Sequence, residues 1–262
     1  MAKRGAPSTH LPMIGLLERA LTFKPNNIDH GALLNRPHAR HRIGATHGLD
    51  LDSVWLDQAS PIAVLLIHGN RHNLTKFADH YNLFSDLGLS CFAFDFPGYG
   101  QSAGSPTEES VYQSAASAYS FLRTELQYAP NRIVIYGCSL GGAVAIHLAQ
   151  NSPAACLITE STFTSSRDMA AHLYPWLPFR SLLPDRFSNV TKIKAVTMPH
   201  LILHGARDEV VPVYMARALF DTAKEPKKLV LVPDASHTDV LPSGGAMVRE
   251  EIATFIDQAT AT

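Results

Sequence analysis

Three residues that lie far apart in the chain, Ser139, Asp208 and His237, are of the types that together activate a serine hydroxyl. Such a hydroxyl is a poor nucleophile until a histidine removes its proton, and the histidine needs a carboxylate to fix its ring orientation and tautomer. Asp208 and His237 come after Ser139 in that order, and each follows directly after a predicted strand. The sequence therefore predicts a catalytic triad of these three residues.

The segment Gly-Cys-Ser-Leu-Gly-Gly at 137–142 has the composition of a sharp turn between a strand and a helix. The β-branched run before it, 132–136, predicts a buried strand, and the run after it, 143–149, predicts a helix. Glycines two residues before and after Ser139 permit a strained turn that holds its Oγ clear of the sheet, above a helix N-terminus. We expect Cys138 to fill space in this turn and not to act as a nucleophile.

Attack on a carbonyl group places negative charge on its oxygen, which two preorganised N–H donors must stabilise. Leu140, the residue after the predicted nucleophile, supplies one backbone N–H. The loop that begins at His68 and Gly69 is the natural source of the other, with Asn70 as the candidate. These two residues form the predicted oxyanion hole, and His68 is expected to shape the loop through hydrogen bonds.

The elements that must position these residues alternate between strands and helices. Continuous apolar runs at 62–67, 90–96, 154–159, 198–203 and 228–232 are typical of strands covered on both faces, and helical patterns separate them. Half-buried strands at 41–46 and 49–56 predict a hairpin at the start. We expect an α/β fold with a mostly parallel sheet of about eight strands and helices on both faces. Residues 1–262 are expected to form one domain, in which 1–37 hold an amphipathic helix and a loop.

The segment 161–197 is longer than a single connecting helix requires, and it mixes aromatic residues with prolines. One interpretation is a lid whose aromatic side chains form an acyl-binding wall. The predicted wall consists of Phe163, Tyr174, Trp176 and Phe179. The alternative is a single helix over 165–174 followed by a loop that covers the sheet.

The bulk composition excludes several classes of function. A net charge of −1 gives no reason to expect a nucleic-acid partner. No stretch reaches the ~18 apolar residues of a membrane span, although the N-terminal helix could make peripheral membrane contact. Cys138 falls in the turn at 137–142, and Cys91 and Cys156 fall in predicted interior strands, which favours free thiols and a cytoplasmic location. No His/Cys cluster has the spacing of metal ligands, so we expect neither a metal nor a cofactor.

Taken together, these motifs resemble the α/β-hydrolase serine hydrolases, and in particular the Bem46-like branch that includes the ABHD12-, ABHD13- and ABHD17-type hydrolases. The likeness runs from about residue 54 to residue 256, and it is carried by the segments 68–74, 95–102, 137–142, 160–165 and 204–212. It implies the α/β-hydrolase fold, the triad, the oxyanion hole and hydrolysis of acyl esters or thioesters. Several eukaryotic members have an N-terminal membrane anchor or palmitoylated cysteines that this sequence lacks, so we do not expect a membrane-lipid or depalmitoylating role.

Other assignments stay open at the level of sequence. Acyl transfer and peptide cleavage would use the same triad, and a non-catalytic binding protein could share the fold. Glu160 could replace Asp208 as the acid, but we expect it to shape the junction between its strand and the 161–197 segment. Asp95 is expected to form a turn. Asp234 and Asp239 stand too close to His237 in sequence to orient its ring.

Overall fold

The structure is a computed structural model that describes residues 22–33, 36–45, 48–176 and 185–261. Within these residues eight strands form one sheet in the order β1-β2-β4-β3-β5-β6-β7-β8. The strands are β1 Ala39–Ala45, β2 Leu49–Leu56, β3 Ala63–Ile67, β4 Ser90–Phe94, β5 Ile133–Cys138, β6 Cys156–Glu160, β7 His200–Gly205 and β8 Lys227–Val232. The first two are antiparallel to each other, β2 is antiparallel to β4, and the remaining pairs are parallel.

Helices fill most of the connections between the parallel strands. They are α1 Ala78–Asp86, α2 Glu108–Thr124, α3 Leu140–Asn151, α4 Ser166–Leu173, α5 Asn189–Lys192, α6 Val213–Thr222 and α7 Val240–Thr260. Among the described residues, no helix is long and apolar enough to cross a membrane. The predicted fold class, a mostly parallel sheet of eight strands with helices, is confirmed.

The sheet separates two apolar layers because alternate side chains of its central strands point to opposite faces. In β3, Leu65 and Ile67 belong to one layer and Val64 and Leu66 to the other, and all four are buried. Helices α2 and α3 pack on the first layer, and α1 and α7 pack on the second. Burial on both faces explains why these strands read as continuous apolar runs in the sequence.

The strand order brings distant loops together at one edge. Strand β3 lies between β4 and β5. The chain therefore passes from β3 to β4 on one side, and β5 to β8 follow on the other side of β3. In open α/β sheets, ligand sites form outside the carboxyl ends of the strands at such a switch point. The loop that contains Asn70 and the turn that contains Ser139 follow these neighbouring strands and therefore meet.

Two helices have irregular starts. Asn73 caps a short 3-10 turn, Leu74–Lys76, and α1 begins only after Phe77, whose φ of −89° and ψ of 42° interrupt the helical path. The final helix begins at Val240, and Gly245 within it has non-helical dihedral angles. In the 161–197 segment, α4 occupies the predicted helical stretch. The predicted N-terminal helix lies outside the described residues.

Candidate active site

Ser139 lies on a strained turn between β5 and α3. Its φ of 53° and ψ of −114° fall outside the regions that non-glycine residues favour. A Cβ atom on Gly137 would lie 2.3 Å from the carbonyl oxygen of Gly141, and one on Gly141 would lie 2.1 Å from the carbonyl oxygen of Ile67. The glycines are therefore required by close backbone approach. The backbone N–H of Ser139 donates to the carbonyl oxygen of Glu160 at 2.7 Å, which ties the turn to β6.

The structure brings the three predicted triad residues together. His237 Nδ1 lies 2.8 Å from Asp208 Oδ2, and His237 Nε2 lies 3.1 Å from Ser139 Oγ. Since an ionised carboxylate only accepts, Nδ1–H donates to Asp208 and Nε2 accepts from the Ser139 hydroxyl. The other carboxylate oxygen, Asp208 Oδ1, accepts from the backbone N–H groups of Val210 at 2.9 Å and Val211 at 2.8 Å. These atoms form a continuous chain from the carboxylate to the serine hydroxyl.

The environment of Asp208 favours its charged form. Burial acts to raise the pKa of this carboxyl, but the hydrogen bond and positive charge of His237, together with the N–H of Val211, lower it below the ordinary value of 3.8. A carboxylate that stays ionised at neutral pH can hold the His237 ring in the tautomer that accepts from Ser139.

His204 is a residue of this region that the sequence analysis missed. It is fully buried at the end of β7, where its Nε2–H donates to the carbonyl oxygen of Val211 at 2.8 Å and lies 3.4 Å from Asp208 Oδ2. Burial lowers the pKa of His204, so the ring is held neutral. It thus braces the loop that carries Asp208, and its position four residues before that carboxylate was the available signal.

Asn70 and Leu140 lie on neighbouring pieces of backbone beside Ser139. A Cβ atom on Gly69 would lie 3.6 Å from Ser139 Cβ, so the loop after β3 contacts the turn after β5. The side-chain amide of Asn70 donates to the carbonyl oxygen of Thr22 at 3.0 Å. Among the described residues, none accepts a hydrogen bond from the backbone N–H of Asn70 or of Leu140.

His68 shapes the loop that carries Asn70. Its Nδ1–H donates to the carbonyl oxygen of Gly69 at 2.7 Å, and its Nε2 accepts from the backbone N–H of Phe96 at 3.1 Å. Burial lowers the pKa of His68 to about 4, so at neutral pH the ring is uncharged and can both donate and accept. The predicted structural role of this histidine agrees with these contacts.

The other acidic residues weighed from the sequence have different partners. Asp95 is buried and accepts from the backbone N–H of Leu74 at 2.7 Å, and burial raises its pKa to about 7. Asp239 accepts from the N–H and the hydroxyl of Ser236, whereas Asp234 forms an exposed ion pair with Arg207 at 2.7 Å. Neither Asp234 nor Asp239 bonds to the His237 ring.

Glu160 takes part in a separate buried cluster. Its Oε2 accepts from His80 Nε2 at 2.9 Å and from the Tyr136 hydroxyl at 2.6 Å, and Cys138 Sγ lies 3.3 Å from the same histidine nitrogen. Ligand-type atoms of His80, Cys138 and Glu160 all lie within 4.8 Å of one another. Spacing along the sequence does not reveal this cluster, because its residues are distant in the chain and meet only in the fold. In the structure these atoms bond to one another, and Glu160 does not bond to His237.

The predicted acyl-binding residues lie in different surroundings. Phe163 is buried, and its ring contacts that of Phe187 edge to face, with centroids 6.3 Å apart. Trp176 is 75% exposed and contacts only Tyr174 among the aromatic rings of the described residues. Phe179 lies outside the described residues. The structure thus brings Phe163, but not Trp176, into the apolar interior.

Comparison with known proteins agrees with this architecture. A family model described as alpha/beta hydrolase fold matches residues 62–191. The uncharacterized protein MT2364 of Mycobacterium tuberculosis is 36% identical over 196 residues, which cover 75% of this chain and 70% of that protein. The chain belongs to the α/β-hydrolase family.

Further members of the α/β-hydrolase family support the assignment. Human alpha/beta hydrolase domain-containing protein 17B is 33% identical over 74% of this chain and 66% of its own length, which confirms the resemblance to the ABHD17 type. Among solved structures, the Pyrococcus furiosus esterase Pf2001 superposes with a TM-score of 0.76 at 19% identity, covering 91% of this chain and 98% of the esterase. At that identity the superposition shows a shared fold.

Proposed function

We propose that this α/β-hydrolase is a serine hydrolase that cleaves carboxylic ester or thioester bonds through an acyl-enzyme on Ser139. One observation carries the proposal: Asp208, His237 and Ser139 are linked by consecutive contacts of 2.8 Å and 3.1 Å. The strained turn that presents Ser139 adds support, because such strain is stored where function requires it.

In the acylation step, His237 Nε2 takes the proton of Ser139 as Oγ bonds to the substrate carbonyl carbon. The carbonyl π electrons move to its oxygen, which accepts from the backbone N–H groups of Leu140 and Asn70. When the tetrahedral intermediate collapses, the bond to the alcohol or thiol breaks, and the proton on His237 passes to this leaving group. Asp208 stabilises the imidazolium throughout.

Deacylation repeats these steps with water as the nucleophile. His237 removes a proton from water, hydroxide oxygen bonds to the acyl carbon, and the bond from that carbon to Ser139 Oγ breaks. The proton returns to Ser139, and the carboxylic acid leaves. No cofactor is needed in this cycle. The expected substrate is a small acyl compound, with Phe163 as the buried aromatic residue that would contact its acyl part, and a cytoplasmic location belongs to the same proposal.

The test is intact-mass analysis after incubation with a fluorophosphonate, which phosphonylates activated serine hydroxyls. The wild type should gain a single adduct, and Ser139→Ala should gain none. A second assay measures the rate of hydrolysis of p-nitrophenyl esters and acyl thioesters of increasing chain length. In Ser139→Ala this rate should fall by about 10⁴-fold or more. The chain-length series then identifies the preferred acyl group.

Ser152→Ala is the matched control, because Ser152 stands at the other end of the helix that begins beside Ser139. This variant should be labelled and should hydrolyse esters at the wild-type rate. A folded wild type that is neither labelled nor active would refute the proposal and favour a non-catalytic binding protein.

A further inference from the structure

The cluster around Glu160 lies directly beneath the turn that presents Ser139. Glu160 Oε2 accepts hydrogen bonds from two side chains on different elements, His80 of α1 and Tyr136 of β5. In the register of the sheet, Glu160 pairs with Cys138, the residue before Ser139. All members of the cluster are buried or nearly so, with side-chain exposures of 11% for His80 and 6% for Glu160. Burying polar side chains of this kind costs free energy unless their hydrogen bonds are satisfied.

The backbone beside this cluster holds the strained turn. The carbonyl oxygen of Glu160 accepts from the backbone N–H of Ser139 at 2.7 Å. The hydroxyl of Thr162 lies 3.3 Å from the carbonyl oxygen of Ser139, and a Cβ atom on Gly142 would lie only 1.8 Å from that hydroxyl oxygen. The end of β6 thus packs closely against the start of α3. A displacement of Glu160 would therefore also displace Ser139.

The surroundings of Glu160 favour its charged form. Burial acts to raise the pKa of Glu160, but the positive charge of His80, hydrogen bonds from His80 and Tyr136, and the positive charge of His237 lower it below 4.5. The titratable groups in contact with the Glu160 side chain are His80, Tyr136 and Cys138.

We propose that Glu160 is a positioning residue of the active site: His80 and Tyr136 hold its carboxylate, and its backbone carbonyl, fixed in this way, holds the Ser139 turn. The inference rests on the proposed function, since it assigns Glu160 the task of placing the nucleophile of that triad. Glu160 touches neither the substrate nor the reacting atoms in this scheme. Its effect passes through Ser139.

The decisive variants are Glu160→Gln, which removes the charge at nearly constant shape, and Tyr136→Phe, which removes one hydroxyl and keeps the charge. We measure the rate of fluorophosphonate labelling per folded molecule and the kcat and KM of ester hydrolysis. Glu160→Gln should slow labelling by about tenfold, as expected when a nucleophile is misplaced, and should lower kcat with KM unchanged. Tyr136→Phe should slow labelling by about threefold, again with KM unchanged.

Thr159→Val is the matched control. Thr159 precedes Glu160 on β6, points to the opposite face of the sheet, and has its own buried histidine partner, His200, at 2.9 Å. The substitution should lower stability without changing the labelling rate or the kcat of ester hydrolysis. This variant separates positioning of the turn from a general loss of buried hydrogen bonds.

The outcomes are distinguishable. If Ser139 of the wild type is labelled but Glu160→Gln reacts as fast, or if Thr159→Val slows labelling equally, the positioning role is wrong and the proposed function stands. If Glu160→Gln does not fold, Tyr136→Phe decides, and an unchanged labelling rate in that variant overturns the inference. A folded wild type without labelling refutes the proposed function and this inference together.

Discussion

Two of the histidine–carboxylate pairs at the carboxyl end of the sheet differ in what each histidine faces. In the first, His237 bonds to the buried Asp208 and turns its other nitrogen to Ser139 Oγ, with 17% of its side chain exposed. In the second, His80 bonds to Glu160 through the same nitrogen that approaches the Cys138 sulfur. The histidine of the first pair contacts the Ser139 hydroxyl, whereas the histidine of the second pair contacts other members of its own buried cluster.

The difference shows that a histidine–carboxylate pair does not by itself define a catalytic site. In both pairs the pKa of the carboxyl is below its ordinary value, because the hydrogen bonds and charges of its partners together outweigh the effect of burial. What separates them is the third group. Only His237 joins its carboxylate to a hydroxyl on a strained turn, whereas Glu160 is saturated by a second donor, Tyr136. We therefore propose chemistry for the first pair and positioning for the second.

The largest expected contrast comes from neutralising each carboxylate in turn. Asp208→Asn should lower kcat by roughly 10³–10⁴-fold, because an amide no longer enforces the His237 tautomer that accepts from Ser139. This loss should exceed the effect of Glu160→Gln by at least about 100-fold. Steady-state hydrolysis of one p-nitrophenyl ester by both variants measures the ratio. Comparable losses in the two variants would erase the distinction between the pairs.

A second prediction concerns the turn that both pairs serve. Gly141→Ala places a Cβ atom 2.1 Å from the carbonyl oxygen of Ile67. Because this oxygen belongs to the backbone of β3, it cannot move away without distorting the strand. We expect the free energy of unfolding to fall by about 3 kcal/mol or more, together with loss of Ser139 labelling. Urea unfolding followed by circular dichroism provides the measurement.

Gly44→Ala is the control for this substitution, because a Cβ atom on Gly44 would meet nothing within 4 Å. Its effect on the free energy of unfolding should stay within about 0.5 kcal/mol. An equally mild effect of Gly141→Ala would mean that the close approach of the turn to β3 is not required.

The smallest effects are expected in the pH dependence of the free energy of unfolding. The buried, uncharged histidines and the ionised carboxylates should affect this free energy in different pH ranges. Burial lowers the pKa of His68 to about 4 and of His200 to about 3. Between these values and 6.5 the unfolded state of each histidine binds more protons, so the contribution of these two histidines to the free energy of unfolding should fall as pH drops from 7 to 5. The lowered pKa values of Asp208 and Glu160 add stability that is lost only below about pH 4.5.

Urea unfolding at pH 7, 5.5 and 4 tests this separation. His200→Gln should reduce the loss between pH 7 and 5.5, whereas Glu160→Gln should leave that interval unchanged and flatten the curve at lower pH. A flatter curve between pH 7 and 5.5 in Glu160→Gln would place the titration of its cluster in the neutral range and contradict the assignment.

Much of the candidate site could be predicted because its signals are local. The glycines at 137 and 141 can be identified from the sequence around Ser139, because a tight turn between a strand and a helix needs glycines within a few residues of the serine. Asp208 and His237 were found because each follows the end of a strand, and parallel strands end at one edge. The 3-10 turn before Phe77 was missed, because apolar spacing does not report a single interrupted dihedral pair.

The sequence by itself determined the fold class and the three residues proposed as a triad, because strand, turn and helix patterns depend on neighbours along the chain. Only the tertiary structure decided that His80 meets Glu160, 80 positions away, and that His204 braces the loop of Asp208. Those contacts depend on which face of α1 packs on the sheet and on the register of β5 with β6. No local pattern encodes such packing, since it results from burying all the apolar faces at once.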